Sequence, residues 1–593
     1  MRHDMEKHGA VKRDTAEHDT PRRDAEERGT AKHSRAKHDA AQHSRAKHDA
    51  PPSDAPQLTD ADLARAKQVV KSTATMSMAT LASRATGFIR TWAMAFALGN
   101  TVLSAGFSLA NNLPNMIYEL VAGGVLSTAF LPIYLQQRNR RGTCAANLYA
   151  SNLTNITVLL LGAIALLASI FAPQVMVTQS LFSSASDETV EQAVWFFRFF
   201  AFQIVFYGVS AVFGGLLNAE RRYFWPAVSS IFMNIVSIAS FFSYPFIAAA
   251  DPSLAGACLA VGTLLSIAVM AAVQVPALVK AGFRLKLYID FRGEGFRDTL
   301  RLALPAMACT AINLVSLSFM NSCALHVSDT GPASVSYAWM WYQFPYGVLS
   351  VALSTALFTE MSECTTRGDS LGFKKHLNLG LRTTWLLIIP MAALLFACAP
   401  ELIGLYAAGK FTTADIEPVA ALLRGWAVAL PLYAGYMFLY RAFSAMKDLK
   451  TLALCNLVLT FLQVGIYMVA TGVVDVGVNL GLVGLPVGDT VFYGAMIVVL
   501  LLVLRRRVGA FRFGRLARST AKVSAASLLG GAATYALGAW ARGFFGVSGM
   551  LSSFALLVVL GVVGLGLVFG LCRLLRVNEV VDVLVKVKEK IRP

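Results

Sequence analysis

The 593-residue sequence predicts an all-α polytopic membrane protein. About fourteen transmembrane helices are expected, in two six-helix lobes plus two C-terminal helices, behind a disordered N-terminal tail. Three observations predict this class. The composition is 56% apolar and only 15% charged, where soluble globules carry about a quarter charged residues. The apolar residues gather into runs of the roughly 20 that cross a bilayer core about 30 Å thick. Lys and Arg concentrate in alternate breaks between those runs, the bias that marks cytoplasmic loops.

The first element is the tail, residues 1–70. It holds 14 Lys/Arg against 13 Asp/Glu and seven of the nine histidines, and Ala-Lys-His-Ser-Arg-Ala-Lys-His-Asp-Ala from Ala31 recurs with one change from Ala41. A mixed-charge segment without large apolar residues cannot bury enough surface to offset its ordering entropy, so it is read as disordered. His33, His38, His43 and His48 recur every five residues; loose metal binding is the sharper reading of them and a solvated low-complexity tail the plainer one. No basic-then-apolar opening with a small-residue cleavage site is present, so no signal peptide is expected.

The tail is nearly neutral, so almost all of the net charge of +17 belongs to the apolar remainder. That placement makes the charge a matter of membrane topology, and no nucleic-acid partner is expected. Eight scattered cysteines, most in apolar runs and none at CxxC spacing, read as small buried hydrophobes. Phosphate-loop, HExxH and Rossmann signatures are absent. The chain therefore reads as a transporter and not an enzyme, with no resident metal or cofactor.

The spans start near residues 73, 104, 151, 191, 224, 254, 299, 333, 378, 418, 451, 479, 518 and 549. The even breaks carry Arg138/Arg140/Arg141, Arg221/Arg222, Lys280 to Arg297, Arg367/Lys374/Lys375, Lys447/Lys450 and Arg505 to Arg515. The odd breaks carry mostly acids or nothing, Lys410 and Arg542 excepted. This alternation puts both termini, including the basic end from Arg573 to Arg592, in the cytoplasm. It divides the chain into 71–290 (helices 1–6), 291–508 (helices 7–12) and 509–593 (helices 13–14 and a basic C-terminus).

The two lobes are related by a weak internal repeat. Arg198, Ala201, Tyr207, Ala219 and Arg221 stand opposite Arg424, Ala427, Tyr433, Ala445 and Lys447 at an offset of 226, and Leu126-Ser127-Thr128-Ala129 recurs as Leu353-Ser354-Thr355-Ala356. Paired lobes around a central cavity are a transporter design in which access alternates.

Charged residues inside a membrane helix cost about 2.5–3.5 kcal/mol, so they face a cavity or a partner. The candidates are Arg84 and Arg90 in the first span, Glu119 in the second, Arg198 and Arg424 in the fourth and tenth, and Asp489 in the twelfth. On a straight helix Arg84 and Arg90 lie about 120° apart. They either converge on one wide ligand or flank it through a bend at Gly87. Guanidinium forks match phosphate oxygens, so the substrate class is anionic and phosphorylated; snorkelling to lipid headgroups is the plainer reading. Arg198 and Arg424 are expected to pair with Glu191 and Glu417. Asp489 either caps a helix broken after Gly488 or binds a cation, and Glu119 is a candidate partner of Arg84 or Arg90. His326 and His376 read as surface or interfacial residues, and Gly123-Gly124 and Gly214-Gly215 as close helix packing.

The sequence resembles the MurJ (MviN) family of lipid II flippases. The resemblance rests on Ser83-Arg84 to Arg90, Leu113-Pro114-Asn115, Ala129-Phe130-Leu131-Pro132, Gly215-Leu216-Leu217-Asn218, Leu304-Pro305-Ala306, Phe344 to Leu349, Gly409-Lys410-Phe411-Thr412 and Lys447 to Thr451. It implies a fourteen-helix, two-lobed member of the multidrug/oligosaccharidyl-lipid/polysaccharide exporter superfamily in the bacterial cytoplasmic membrane. It further implies a substrate site at Arg84, Arg90, Asn115 and Glu119 that grips the lipid-linked diphosphate of the peptidoglycan precursor lipid II. Coupling would come from the membrane potential or a cation at Asp489. The sequence departs from the family's charges at Ala105, Tyr118, Gly123, Trp339 and Met340. Those departures motivate two other readings: an exporter of another polyprenyl-diphosphate glycan or amphipathic compound, and a non-transporting scaffold for cell-wall synthesis proteins.

Overall fold

The computed structural model describes residues 60–121, 130–182, 187–509, 513–546 and 549–577, in two units, Met1–Lys71 and Ser72–Pro593. The histidine repeat, Gly123-Gly124, Leu126 to Ala129 and the last basic residues lie outside the described residues. Helix α1 (Asp60–Leu98) begins inside the segment read as tail, because Leu63, Ala64, Arg65, Ala66 and Lys67 are all strong helix formers.

The first half continues as α2 (Val102–Val121), α3 (Leu131–Ile170), the short α4 (Ala172–Val177), α5 (Asp187–Phe200), α6 (Gln203–Ala219), α7 (Phe224–Ala248), α8 (Pro252–Ala272) and the short α9 (Val275–Lys280). The second comprises α10 (Glu294–Val327), α11 (Gly331–Pro345), a π turn (Tyr346–Ser350), α12 (Val351–Thr366), α13 (Ser370–Ala397), the short α14 (Ala399–Gly404), α15 (Ile416–Ala445), α16 (Leu449–Ala470) and α17 (Gly484–Val508). Helices α18 (Phe513–Phe545) and α19 (Met550–Leu574) follow.

Of the fourteen expected spans, nine helices among the described residues are long and apolar enough to cross a membrane, or ten if α5 and α6, bent by 44°, form one span. Others fall short in length or in hydropathy: α11 and α12 have 15 and 16 residues, α1 carries Arg84 and Arg90, and α2 carries Asn111, Asn112, Asn115 and Glu119.

The internal repeat reappears in the backbone. Gly142 and Gly368, 226 apart, both take positive φ (83° and 71°), and so do Arg221 (59°) and Lys447 (58°) at the same offset. Positive φ is costly for a residue with a Cβ, so two basic residues sharing it at one offset mark matched corners. The short helices α4 and α14 both open on Ala-Pro, at Ala172 and Ala399.

The halves are joined at the end carrying Leu98, Gly331 and Lys410. Tyr337 donates to the Gly99 carbonyl at 2.6 Å, the Lys410 amide to Phe96 at 3.0 Å, and the Trp92 indole to Leu405 at 2.9 Å. Gln179 donates to Ser318 (2.6 Å) and accepts from Asn321 (2.9 Å), while His326 Nδ1 meets the Phe182 carbonyl at 2.7 Å, so His326 is interfacial. Gly99 (φ +68°) permits this closeness, since a Cβ there would lie 2.5 Å from the Lys410 carbonyl oxygen.

Candidate functional site

Helix α1 lies between the halves. A Cβ at Gly87 would lie 3.7 Å from Asn234 of α7 and 3.8 Å from Met340 of α11. Asn234 also donates to Thr86 Oγ1 at 2.9 Å. The helix runs unbroken from Asp60 to Leu98, so Gly87 introduces no break, and Arg84 and Arg90 address different walls.

Arg84 reaches the second half. Its guanidinium lies over the π turn, where a Cβ at Gly347 would stand 2.9 Å from Arg84 Cζ. Glycine therefore makes the room that the cation occupies. The field of Arg84 reaches Tyr346 and Tyr433, whose rings meet edge to face at 4.8 Å. Arg90 faces the first half, where its charge acts on Tyr207 of α6. Tyr207 donates to Asn115 Oδ1 at 2.6 Å, Asn115 donates to the Asn111 carbonyl at 2.9 Å, and Tyr118 packs on Tyr207 with centroids 4.7 Å apart. Asn115 thus holds Tyr207 in front of Arg90.

Among the described residues neither Arg84 nor Arg90 has an ion-pair partner. Glu119 is exposed on α2, with its field reaching Tyr433, and pairs with neither arginine. Sequence reasoning missed Arg441 of α15, which donates to Thr355 Oγ1 at 3.2 Å and acts on Tyr346. Its place near a span end concealed it; the Tyr433 to Arg441 spacing of eight residues, about two helical turns, was the available signal.

Asp489 is buried, 2% exposed, inside α17. It caps no broken helix. Its Oδ2 accepts from the Trp426 indole at 2.7 Å, and its Oδ1 accepts from Gln463 at 2.7 Å and from the Tyr467 hydroxyl. Ser316 of α10 closes the network on Gln463 Oε1 at 2.8 Å. No group of three or more His, Cys, Asp or Glu side chains among the described residues could hold a metal.

Arg424 pairs with Glu417, as expected, and lies over the Tyr535 ring. The expected Arg198–Glu191 pair is not formed: both residues lie on α5 and both side chains are exposed. At two of the positions where the resemblance implies charge, this chain has apolar side chains: Trp339 packs edge to face on Trp426 at 5.1 Å, and Met340 reaches the surroundings of Gly87. Ala105 is fully buried, and Gly123 lies outside the described residues.

Two helical halves, hydrogen-bonded to each other at the Leu98 end and carrying between them intramembrane guanidiniums with no ion-pair partner among the described residues, define a membrane transporter of the alternating-access class. The family model described as "Lipid II flippase MurJ" matches residues 94–570, and the chain belongs to that family. It is similar to the probable lipid II flippase MurJ of Rhizobium meliloti (strain 1021), 29% identical over 394 residues that cover 65% of this chain and 72% of the relative. It is also 27% identical over 383 residues to the lipid II flippase MurJ of Burkholderia cenocepacia, covering 64% and 73%. The solved structure titled "Lipid II flippase MurJ, inward closed conformation" shares the fold with a TM-score of 0.69 at 20% identity, covering 85% of this chain and 99% of that one. An inward-facing multidrug resistance MATE family transporter of the MOP superfamily shares it at 0.61 and 17% identity, covering 74% and 99%. The chain is accordingly a multi-pass protein of the bacterial inner membrane.

Proposed function

We propose that the protein translocates lipid II, a polyprenyl-diphosphate glycolipid, from the inner to the outer leaflet by alternating access. The single observation that carries this reading is the pair Arg84 and Arg90, cations on one unbroken helix between the halves with no carboxylate partner among the described residues. An unpaired intramembrane cation is costly unless its ligand supplies the counter-charge, and a diphosphate supplies oxygens for both guanidinium forks. Arg84 holds it from one wall and Arg90 from the other, while the lipid tail stays in the bilayer. Both termini face the cytoplasm in this reading, and the hydrogen-bonded end at Leu98 faces outward, so the cargo enters from the inner leaflet. Cell-wall synthesis proteins are the partners that would consume the product.

Coupling to the membrane potential or to a cation falls to Asp489. A buried carboxylate with three donors and no paired cation depends on its neighbours, or on an arriving positive charge, for compensation. Asp489→Asn should leave cargo binding intact and remove the dependence of transport on potential; unchanged dependence excludes this role.

The test of the main reading is rescue of a bacterium depleted of its own lipid II flippase. The wild-type chain should restore growth, and Arg84→Ala and Arg90→Ala, expressed at equal level in the membrane, should not. Rescue by both variants, or none by the wild type, contradicts it.

A further inference from the structure

We propose that the start of α3 and the start of α10 form a second anion site, separate from the cavity around α1, which binds the headgroup of an anionic phospholipid. A cavity of about 490 Å³ opens there, lined by Arg140 and Arg141 of α3 and by Arg297 and Arg301 of α10, with Asp298 as its one acid. Gln136 and Gln137 add amide groups. Arg297 and Arg301 are four residues apart and so project from one face of α10. Among the described residues Arg140, Arg297 and Arg301 have no ion pair. Their neighbour Arg138 does, to Glu220 at 2.7 Å. The cavity thus gathers more positive charge than its one acid balances, and guanidinium forks suit phosphate oxygens.

The segment leading into α10 says where that phosphate comes from. Residues 283–291 run extended along α3, held by Asn155 Nδ2 on the carbonyls of Lys286 (2.7 Å) and Tyr288 (3.1 Å) and by Asn152, which donates to the Asp290 carbonyl at 2.9 Å and accepts its amide at 2.6 Å. Alternate side chains of an extended segment share a side. Leu285, Leu287, Ile289 and Phe291 form that side and are 54%, 96%, 49% and 52% exposed, with Arg284 before them, Lys286 between them and Arg292 after them. A fixed apolar edge set among bases fits the boundary of acyl chains and headgroups. Continuity of this edge with the arginine cavity selects a lipid phosphate over a free one, and basic pockets between helices on the Lys/Arg-rich side take such headgroups.

Native mass spectrometry of the purified full chain, loaded with phosphatidylglycerol or phosphatidylcholine and challenged with inorganic phosphate, tests the site without reference to transport. The wild type should retain phosphatidylglycerol in preference to phosphatidylcholine. The double variant Arg140→Gln/Arg301→Gln should lose that preference on the order of 30-fold, taking roughly 1 kcal/mol for each surface arginine. Leu287→Gln should weaken phosphatidylglycerol retention alone, and Arg138→Gln, which leaves the cavity intact, serves as the control for a general loss of charge. Thermal unfolding close to wild type establishes that the variants are folded; should the double variant not fold, Leu287→Gln and each single arginine variant carry the test. Equal retention of the two lipids by the wild type, an unchanged preference in the variants, or displacement of bound lipid by inorganic phosphate as readily as by phosphatidylglycerol would overturn the proposal.

Discussion

The two halves of this chain share a register of 226 to 227 residues and differ in how their intramembrane charges are held. On α1 the half-buried cations Arg84 and Arg90 have no carboxylate partner among the described residues, although Arg138 of the first half is paired with Glu220. The second half buries carboxylates and saturates them: Asp489 takes three hydrogen bonds, and Glu401, 1% exposed, is paired with Arg542 of α18. The matched positions make the contrast concrete. Opposite Trp426, which donates to Asp489, the first half has Phe200, packed on Phe107 with centroids 5.2 Å apart and donating nothing. Opposite Glu401 it has Gln174, exposed on α4. At these matched positions the second half holds carboxylates inside hydrogen-bond and ion-pair networks that the first half lacks.

Substitutions at these matched positions should break the contrast by graded amounts. Glu401→Gln leaves Arg542 partly buried without its partner and should cost about 3 kcal/mol, read as a lowered midpoint of thermal unfolding of the purified protein. The matched Gln174→Ala, on an exposed position, should leave the midpoint unchanged. Trp426→Phe gives the second half the side chain of the first and removes one donor from a buried carboxylate, for about 2 kcal/mol, read in the same unfolding assay. Arg424→Ala removes a pair whose acid, Glu417, is 67% exposed, and should cost no more than about 1 kcal/mol. Arg198→Ala, at the matched unpaired position, should be neutral in the same unfolding assay.

The fold was legible because membrane helices announce themselves by length and composition, and the lobes because the repeat kept Arg198, Tyr207 and Arg221 in step with Arg424, Tyr433 and Lys447. The positive-φ corners at Arg221 and Lys447 explain why that part of the register stayed visible. Arg84 and Arg90 were legible as rare intramembrane charges. Their surroundings were not: contacts such as Arg84 over Gly347, or Tyr207 on Asn115, join residues far apart in sequence and leave no local pattern. Asp489 was visible as a charge, while its three donors come from two other helices, which no spacing within α17 reveals. The Arg198–Glu191 pair did not form although both residues lie on α5 and are exposed, whereas Arg424 at the matched position is also held over the Tyr535 ring of α18.

Equilibrium binding of lipid II to the purified full chain, compared across wild type, Arg84→Gln and Asp489→Asn, tests the division of labour between the halves most directly. Loss of one charged hydrogen-bonding group should weaken binding by on the order of 30-fold in Arg84→Gln, while Asp489→Asn should bind as the wild type does. Equal binding by wild type and Arg84→Gln, or a loss in Asp489→Asn as large as that in Arg84→Gln, would contradict the account.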